Sequence, residues 1–392
     1  MEHVHIGRKE AAYIITIVSA ILFLFLGNHV ATRGEKVFGR SANTESVPAK
    51  IDLILARESQ PFQLDERDYQ HVTVYFEATF TQGSRRGQQI SGEQFNDPLM
   101  ALQMKEVEEG DRVMLCYIDR NDGTGSKVWT MQEYDRSRPL IVLTTVFLLL
   151  ICLFGGRKGI GTMVALVLTC LAIFFVFVPS ILSGRNIILW TWITCLYIIV
   201  VTLILVNGFS VKSLAAGIGC MGGLIFSGAL FRFMDLFLKL TGLIDEDSVY
   251  LLMLENTALI NLKSIIYSSI LIGVLGAALD VSVSIAAAIG EVRRSTGSMG
   301  IREMMESGMN VGRDILGTMA NTLILVYIGS TLSLTLLLVV YSNSFMELIN
   351  REAIVIEVLQ ALIGTIGLVL IIPLTAFSYA FLANRRGNRE WD

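Results

Sequence analysis

The chain has 392 residues, 53% hydrophobic and 17% charged, with a formal net charge of −4 and a mean hydropathy of +0.59. Average soluble domains are about 45 to 50% apolar and about 25% charged, so these values exclude a purely soluble protein. No run of Lys/Arg exceeds three residues, which excludes nucleic acid as a main partner, since a phosphate backbone needs clustered cations.

The apolar residues gather in blocks of 17 or more, each long enough for a bilayer core of roughly 30 Å. They predict eight membrane helices at about 11–28, 139–155, 159–178, 187–206, 212–231, 264–290, 317–341 and 354–383. The first, AAYIITIVSAILFLFLG behind Arg8 and Lys9, is longer than a signal-peptide core and no clean A-x-A site follows, so it reads as an uncleaved anchor. Between the first two blocks, residues 30–138 carry 14 Lys/Arg against 18 Asp/Glu and no such block. Alternation and β-branched or aromatic enrichment there predict strands at His71–Phe80, Asp111–Arg120 and Lys127–Tyr134, with turns at Gln82–Gly87 and Asn121–Gly125. The expected fold is thus an all-α polytopic membrane bundle of about eight helices. A small β-rich extracytoplasmic domain, OB-like or another small barrel or sandwich, lies between helices 1 and 2. The expected divisions are an anchor at 1–29, the β-rich domain at 30–138, seven helices at 139–383 and a basic tail at 384–392.

Basic residues in short loops set orientation. With a cytoplasmic N-terminus, inside segments hold Arg8, Lys9, Arg157, Lys158, Lys212, Arg293, Arg294, Arg302, Arg313, Arg385, Arg386 and Arg389. Outside ones hold Arg185, Arg232, Lys239, Lys263 and Arg351. Both termini are therefore expected in the cytoplasm of a cell-membrane protein, with Trp190 and Trp192 near an outer aromatic belt.

Asp280 is the most informative residue, because a carboxylate at membrane depth is costly and by default a functional hypothesis. Helical spacing aligns it with Gly276 and Ser284, a small and polar face that another helix or water can approach. The antiparallel seventh span places Thr318, Asn321 and Thr322 at similar depth. Asp280, Ser284, Thr318 and Asn321 are the candidates for binding a proton or cation, with Asn321 oriented to donate to the carboxylate; a neutral Asp bonded for packing alone is the structural alternative. Glu357 and Gln360 are weaker candidates, since Glu357 lies about one turn inside the surface, where snorkelling explains it. Ala215, Gly219, Gly223 and Ser227 form a small-xxx-small ladder for helix packing. The acidic stretch with Asp245, Glu246, Asp247 and Glu255, between the fifth and sixth spans, reads as amphipathic helices at the outer surface, attracting cations or simply solvated.

Enzymatic signals are missing. G-x-x-x-x-G-K-[ST], H-E-x-x-H and G-x-S-x-G do not occur, and His3, His5, His29 and His71 all lie outside the spans. Of five cysteines only Cys116 lies in the soluble interval, and the thiols read as packing residues. No enzymatic reaction, cofactor or metal is expected.

The segments GAALDVSVSIAAAIGEV (Gly276–Val292) and GRDILGTMANTLILVYIG (Gly312–Gly329), joined by a basic loop and preceded by an anchor, a small outer domain and DRSRP at 135–139, resemble the YibE/F-like family of bacterial multi-spanning membrane proteins. That resemblance implies a permease of undefined substrate. The expected function is an ion- or proton-coupled secondary transporter; the alternative is a non-transporting scaffold or envelope accessory protein whose outer domain binds a partner. Expected partners are the lipid bilayer, a proton or cation, an unknown small substrate, and a second copy of the chain or an envelope protein.

Overall fold

A computed structural model describes residues 8–32, 46–64, 67–96, 104–119, 127–244, 246–253, 260–297 and 299–386. It divides into two compact units, Phe38–Leu150 and the remainder.

The smaller unit is a closed barrel of β1 (Val47–Leu64), β2 (Arg67–Phe80), β3 (Gln89–Asn96), β4 (Arg112–Asp119) and β5 (Lys127–Tyr134), in the order β1-β2-β3-β5-β4. Only β3 and β5 run parallel, meeting at Gly92 and Trp129. Five strands closed in this order match the Greek-key OB arrangement. Alternate residues fill the interior, among them Ile51, Phe76, Phe80, Val113 and Leu115. Gly92 is required where β3 meets β5, because a Cβ would stand 2.8 Å from the Phe76 ring and 3.0 Å from the Trp129 carbonyl.

Three of the five strands match the alternation in the sequence; β1 and β3 were not anticipated. β1 contains RESQPFQ, which has neither alternation nor apolar bias, and Pro61 argues against a strand. Beyond Ile51, however, β1 has ladder partners only in β2 among the described residues, so Pro61 lies far from the β4 pairing, where its missing N–H costs little. The expected turn at Asn121–Gly125 lies outside the described residues. Gln94, 2% exposed, fixes the segment before β4: its Nε2 donates to the Lys105 carbonyl and its Oε1 accepts from the Val107 N–H, both at 2.9 Å.

The larger unit is helical: α1 (Arg8–Thr32), α2 (Ser137–Ala172), α3 (Val178–Leu182), α4 (Ile187–Asn207), α5 (Val211–Leu238), α6 (Glu246–Met253), α7 (Leu262–Thr296), α8 (Ile301–Ser330), α9 (Leu332–Val340), α10 (Phe345–Asn350) and α11 (Glu352–Arg386). Gly156, with φ 54° and ψ −132°, breaks α2 into two spans, a conformation that favours glycine. Side-chain caps define several starts: Asn186, Ser210 and Asn261 accept from Leu189 N, Ser213 N and Ser264 N. Eight helices among the described residues are long and apolar enough to cross a membrane. The expected loop between the sixth and seventh spans is mostly helix, since α8 begins at Ile301. Arg302 and Arg313 therefore sit on a helix of 30 residues that breaks at Thr331 before α9.

At the centre α11 packs against α5, α7 and α8. Ala215, Gly219, Gly223 and Ser227 are buried on α5, and the last three lie against Thr375, Ile371 and Gly367 of α11. Gly276, read with them as a packing residue, is exposed and has nothing within 4 Å of where its Cβ would stand. Between α4 and α7, the buried Thr191 and Ser268 hydroxyls meet at 2.6 Å. The tryptophans expected at an outer belt turn inward. Trp190 is buried with Ala31, Val176 and Phe177, and Trp192 is bonded by Tyr267. Arg185 donates to the Val30 and Ala31 carbonyls, closing the C-terminal end of α1. Glu352, opening α11, accepts from Thr241 N, Thr241 Oγ1 and Gly242 N, each at 2.7 Å. Of the acidic stretch, Asp245 and Glu255 lie outside the described residues; Asp247 is exposed on α6.

Two substitutions test these contacts. Gly219→Ala places a Cβ against Thr375 Oγ1 and 2.9 Å from Thr375 Cα; overpacking of this kind costs about 1 to 3 kcal/mol, so the thermal midpoint of the detergent-solubilised protein should fall. Gly329→Ala, with nothing within 4 Å, should leave it unchanged or slightly raised. In the barrel, Gln94→Leu strands the buried Val107 N–H. Hydrogen exchange at that amide should accelerate, with about 1 to 3 kcal/mol of stability lost.

Candidate functional site

Two neighbouring antiparallel helices carry the polar residues at membrane depth. α7 buries Val274, Ala278, Val281, Ile285 and Ile289, the 3.6-residue periodicity of a helix pressed into a core. Gly273, Gly276, Asp280 and Ser284 occupy its other face and are exposed. α8 is attached by a narrow stripe of Met304, Gly308, Gly312, Leu323 and Tyr327, its only buried residues. Half-buried Met305, Met309, Ile315, Leu316 and Met319 flank this stripe against the core, and the other face of α8 is exposed, including Asn310, Arg313, Asp314, Thr318, Asn321 and Thr322.

Glycine contacts fix the register of the pair. Gly308 of α8 lies against Ile289, and Gly273 of α7 against Tyr327. Counting inward from both, Asp280 stands level with Thr318. The structure therefore brings Asp280 and Thr318 to one depth on adjacent helices, with Asn321 about a turn to one side and Ser284 about a turn to the other, all exposed. It does not join them: among the described residues no hydrogen bond or ion pair reaches Asp280, and none links it to Asn321. The Thr318 hydroxyl donates back to the Ile315 carbonyl at 2.9 Å and that of Thr322 to the Thr318 carbonyl at 2.8 Å, so both are satisfied within α8.

A second polar group does converge. Tyr327 of α8, 8% exposed, brings its hydroxyl close to Gln360 of α11, with Glu357 nearby. The meeting point is Gly273, whose missing side chain leaves the Tyr327 hydroxyl at 3.0 Å and Gln360 Nε2 at 3.5 Å from the Cβ position. Glu357 and Gln360 are both half-buried. Tyr327 was not among the sequence candidates. The available signal is chemical: a lone phenol deep in an apolar helix needs a partner for its hydroxyl.

Eight membrane-length helices and a small barrel inserted after the first define a multi-pass membrane protein. A family model described as YibE/F-like protein matches residues 143–385, well over half the chain, and the protein belongs to that family. The match takes in the polar helices and leaves out α1 and the barrel. No curated protein and no solved structure matches the chain.

Tyr327→Phe removes one interhelical polar contact of a kind worth about 0.6 kcal/mol in membranes. The thermal midpoint should drop only slightly, whereas Gly273→Leu, which drives a side chain into Tyr327 and Gln360, should lower it much further.

Proposed function

We propose that the protein is an ion- or proton-coupled secondary transporter of the cell membrane, with both termini cytoplasmic and the barrel on the outer side. One observation carries the reading: Asp280 stands exposed and unpaired on α7, level with Thr318 and about a turn from Asn321 on α8. Lipid facing such a surface would meet an uncompensated carboxylate, at a cost of about 2.5 to 3.5 kcal/mol on insertion scales. A water-filled path or an interface facing the α7–α8 pair removes that conflict. Protonation of Asp280, or a cation beside it, neutralises the site in one state and leaves it charged in the other. This is the physical requirement for coupling solute movement to an ion gradient. Ser284 and Asn321 supply neutral oxygen and amide groups within about a turn of Asp280. The reading is non-enzymatic, because Asp280 has no second carboxylate or base bonded to it. The orientation rests on the excess of Lys and Arg at one end of the helices.

The barrel supports a second reading, a scaffold with an outer partner. Beyond Ile54, β1 has no ladder partner other than β2 among the described residues, and it exposes Leu53 and Leu55, a surface on which an extended segment can add as a strand.

The two are separated by variants of a deletion strain whose metabolite and metal-ion profile defines the phenotype. Asp280→Asn keeps shape and removes titration. Inserted at wild-type abundance, it is expected to fail to restore the profile and to lose the pH dependence of solute uptake in proteoliposomes. Wild-type behaviour of Asp280→Asn across acid and neutral pH, with loss of function on removing 30–138, overturns the transporter reading in favour of the scaffold.

A further inference from the structure

At the end of the bundle where α5 begins and α7 and α11 finish, hydrogen-bond donors converge around Gly290. This glycine is buried in α7. A Cβ on it would collide with the Lys212 side chain and stand 3.1 Å from both Lys212 Nζ and the Tyr379 hydroxyl. The bare backbone thus lets the lysine stem cross α7, and it holds ammonium and phenol no further apart than twice that distance. Arg293, one turn along α7, lies close to Tyr379, and its Nη2 donates to the Ala383 carbonyl at 3.4 Å. Tyr379 itself is only 5% exposed, while Lys212 and Arg293 are half-buried.

The cluster has cations and no anion. Among the described residues no ion pair involves Lys212 or Arg293. The nearby carboxylates are engaged elsewhere: Glu291 with Arg294 at 3.6 Å, Glu306 with Arg302 at 2.9 Å, and Glu303 with the Gly300 N–H at 2.9 Å. Lys212 also lies in the first turn of α5, which holds no acid, and there the helix dipole opposes a cation and favours an anion. An ammonium and a phenol beside Gly290, with a guanidinium one turn along the helix, offer donors that match the oxygens of a phosphate group. Basic pockets between helices at the positively charged end of a bundle are where anionic headgroups bind.

We propose that Lys212, Arg293 and Tyr379 form a binding site for a phosphate group, carried by an anionic lipid headgroup or present as free phosphate, with Gly290 making the room. The site lies apart from Asp280 and does not depend on the transport reading. Its readout is phosphate or lipid binding, that of the transport reading is pH-dependent uptake, and the two fail separately.

The experiment uses the full chain, purified and monodisperse in a neutral detergent. Inorganic phosphate is titrated while the thermal midpoint is followed, and native mass spectrometry reads retention of phosphatidylglycerol against phosphatidylcholine. Wild type is expected to respond to one arm: a rise in midpoint with phosphate assigns the free ion, whereas preferential retention of phosphatidylglycerol without that rise assigns the headgroup. Lys212→Gln and Arg293→Gln should each weaken the response at least tenfold. Gly290→Ala, which keeps all three donors but displaces the lysine, should weaken it as well. Lys239→Gln, which removes a lysine just past the opposite end of α5, is the charge control. Absence of both responses in wild type, or an equal loss in Lys239→Gln and Lys212→Gln, overturns the site.

Discussion

The bundle depends on how closely α5 and α11 approach. Lipid tails are as apolar as leucine, so burial gives little drive for one membrane helix to leave lipid for another, and close packing must supply it. Gly219 and Gly223 on α5 face Thr375 and Ile371, while Gly367 on α11 faces Ser227, so small residues from both helices admit side chains from the other. With α11 seated in this way, its remaining faces receive α7 and α8. Gly308 and Gly312 of α8 repeat the device against Ala376 and Ile372. The same close approach places Tyr327 against Gln360 at Gly273, and a comparable absence of a side chain at Gly290 passes Lys212 across α7. Glycines thus position the polar groups as well as the backbones.

Against that packed side, the open faces of α7 and α8 present a contrast. α8 touches its neighbours by one face and carries Asn310, Arg313, Asp314, Thr318 and Asn321 on the other, exposed one. Faces turned to hydrocarbon should be apolar, as the exposed Leu, Ile and Val of α2 are. Polar residues on an outward helical face mark a surface that lipid does not solvate well. The physical conflict is local to these two helices, and Asp280 stands at its centre.

The barrel follows different rules, since its core forms by the alternation of strands around Phe76, Phe80 and Leu115. The strands that alternate cleanly, β2, β4 and β5, were legible in the sequence. β1 and β3 were not, because the first is polar and holds Pro61 while the second, QISGEQFN, is mostly polar and centred on Gly92. Both are made into strands by β2, which pairs with one on each side. Strand identity there is a property of the pairing partner.

Composition and apolar periodicity by themselves determined the number of spans, the inserted soluble domain, the depth of Asp280 and the small-residue ladder on α5. Each of these depends on local chain chemistry: a block of apolar residues crosses a bilayer wherever its neighbours lie, and a carboxylate within it is costly in any packing. Which polar groups meet was decided only by the tertiary structure. Asp280 and Asn321 lie at similar depth without a bond, whereas Tyr327 and Gln360, on helices separated by more than 20 residues of chain, meet at Gly273 in a way that no spacing announces. Lys212, Arg293 and Tyr379 come from three helices. Helical period fixes the face a residue shares with its own neighbours, but the rotation of one helix against another is set by side-chain packing across the whole interface.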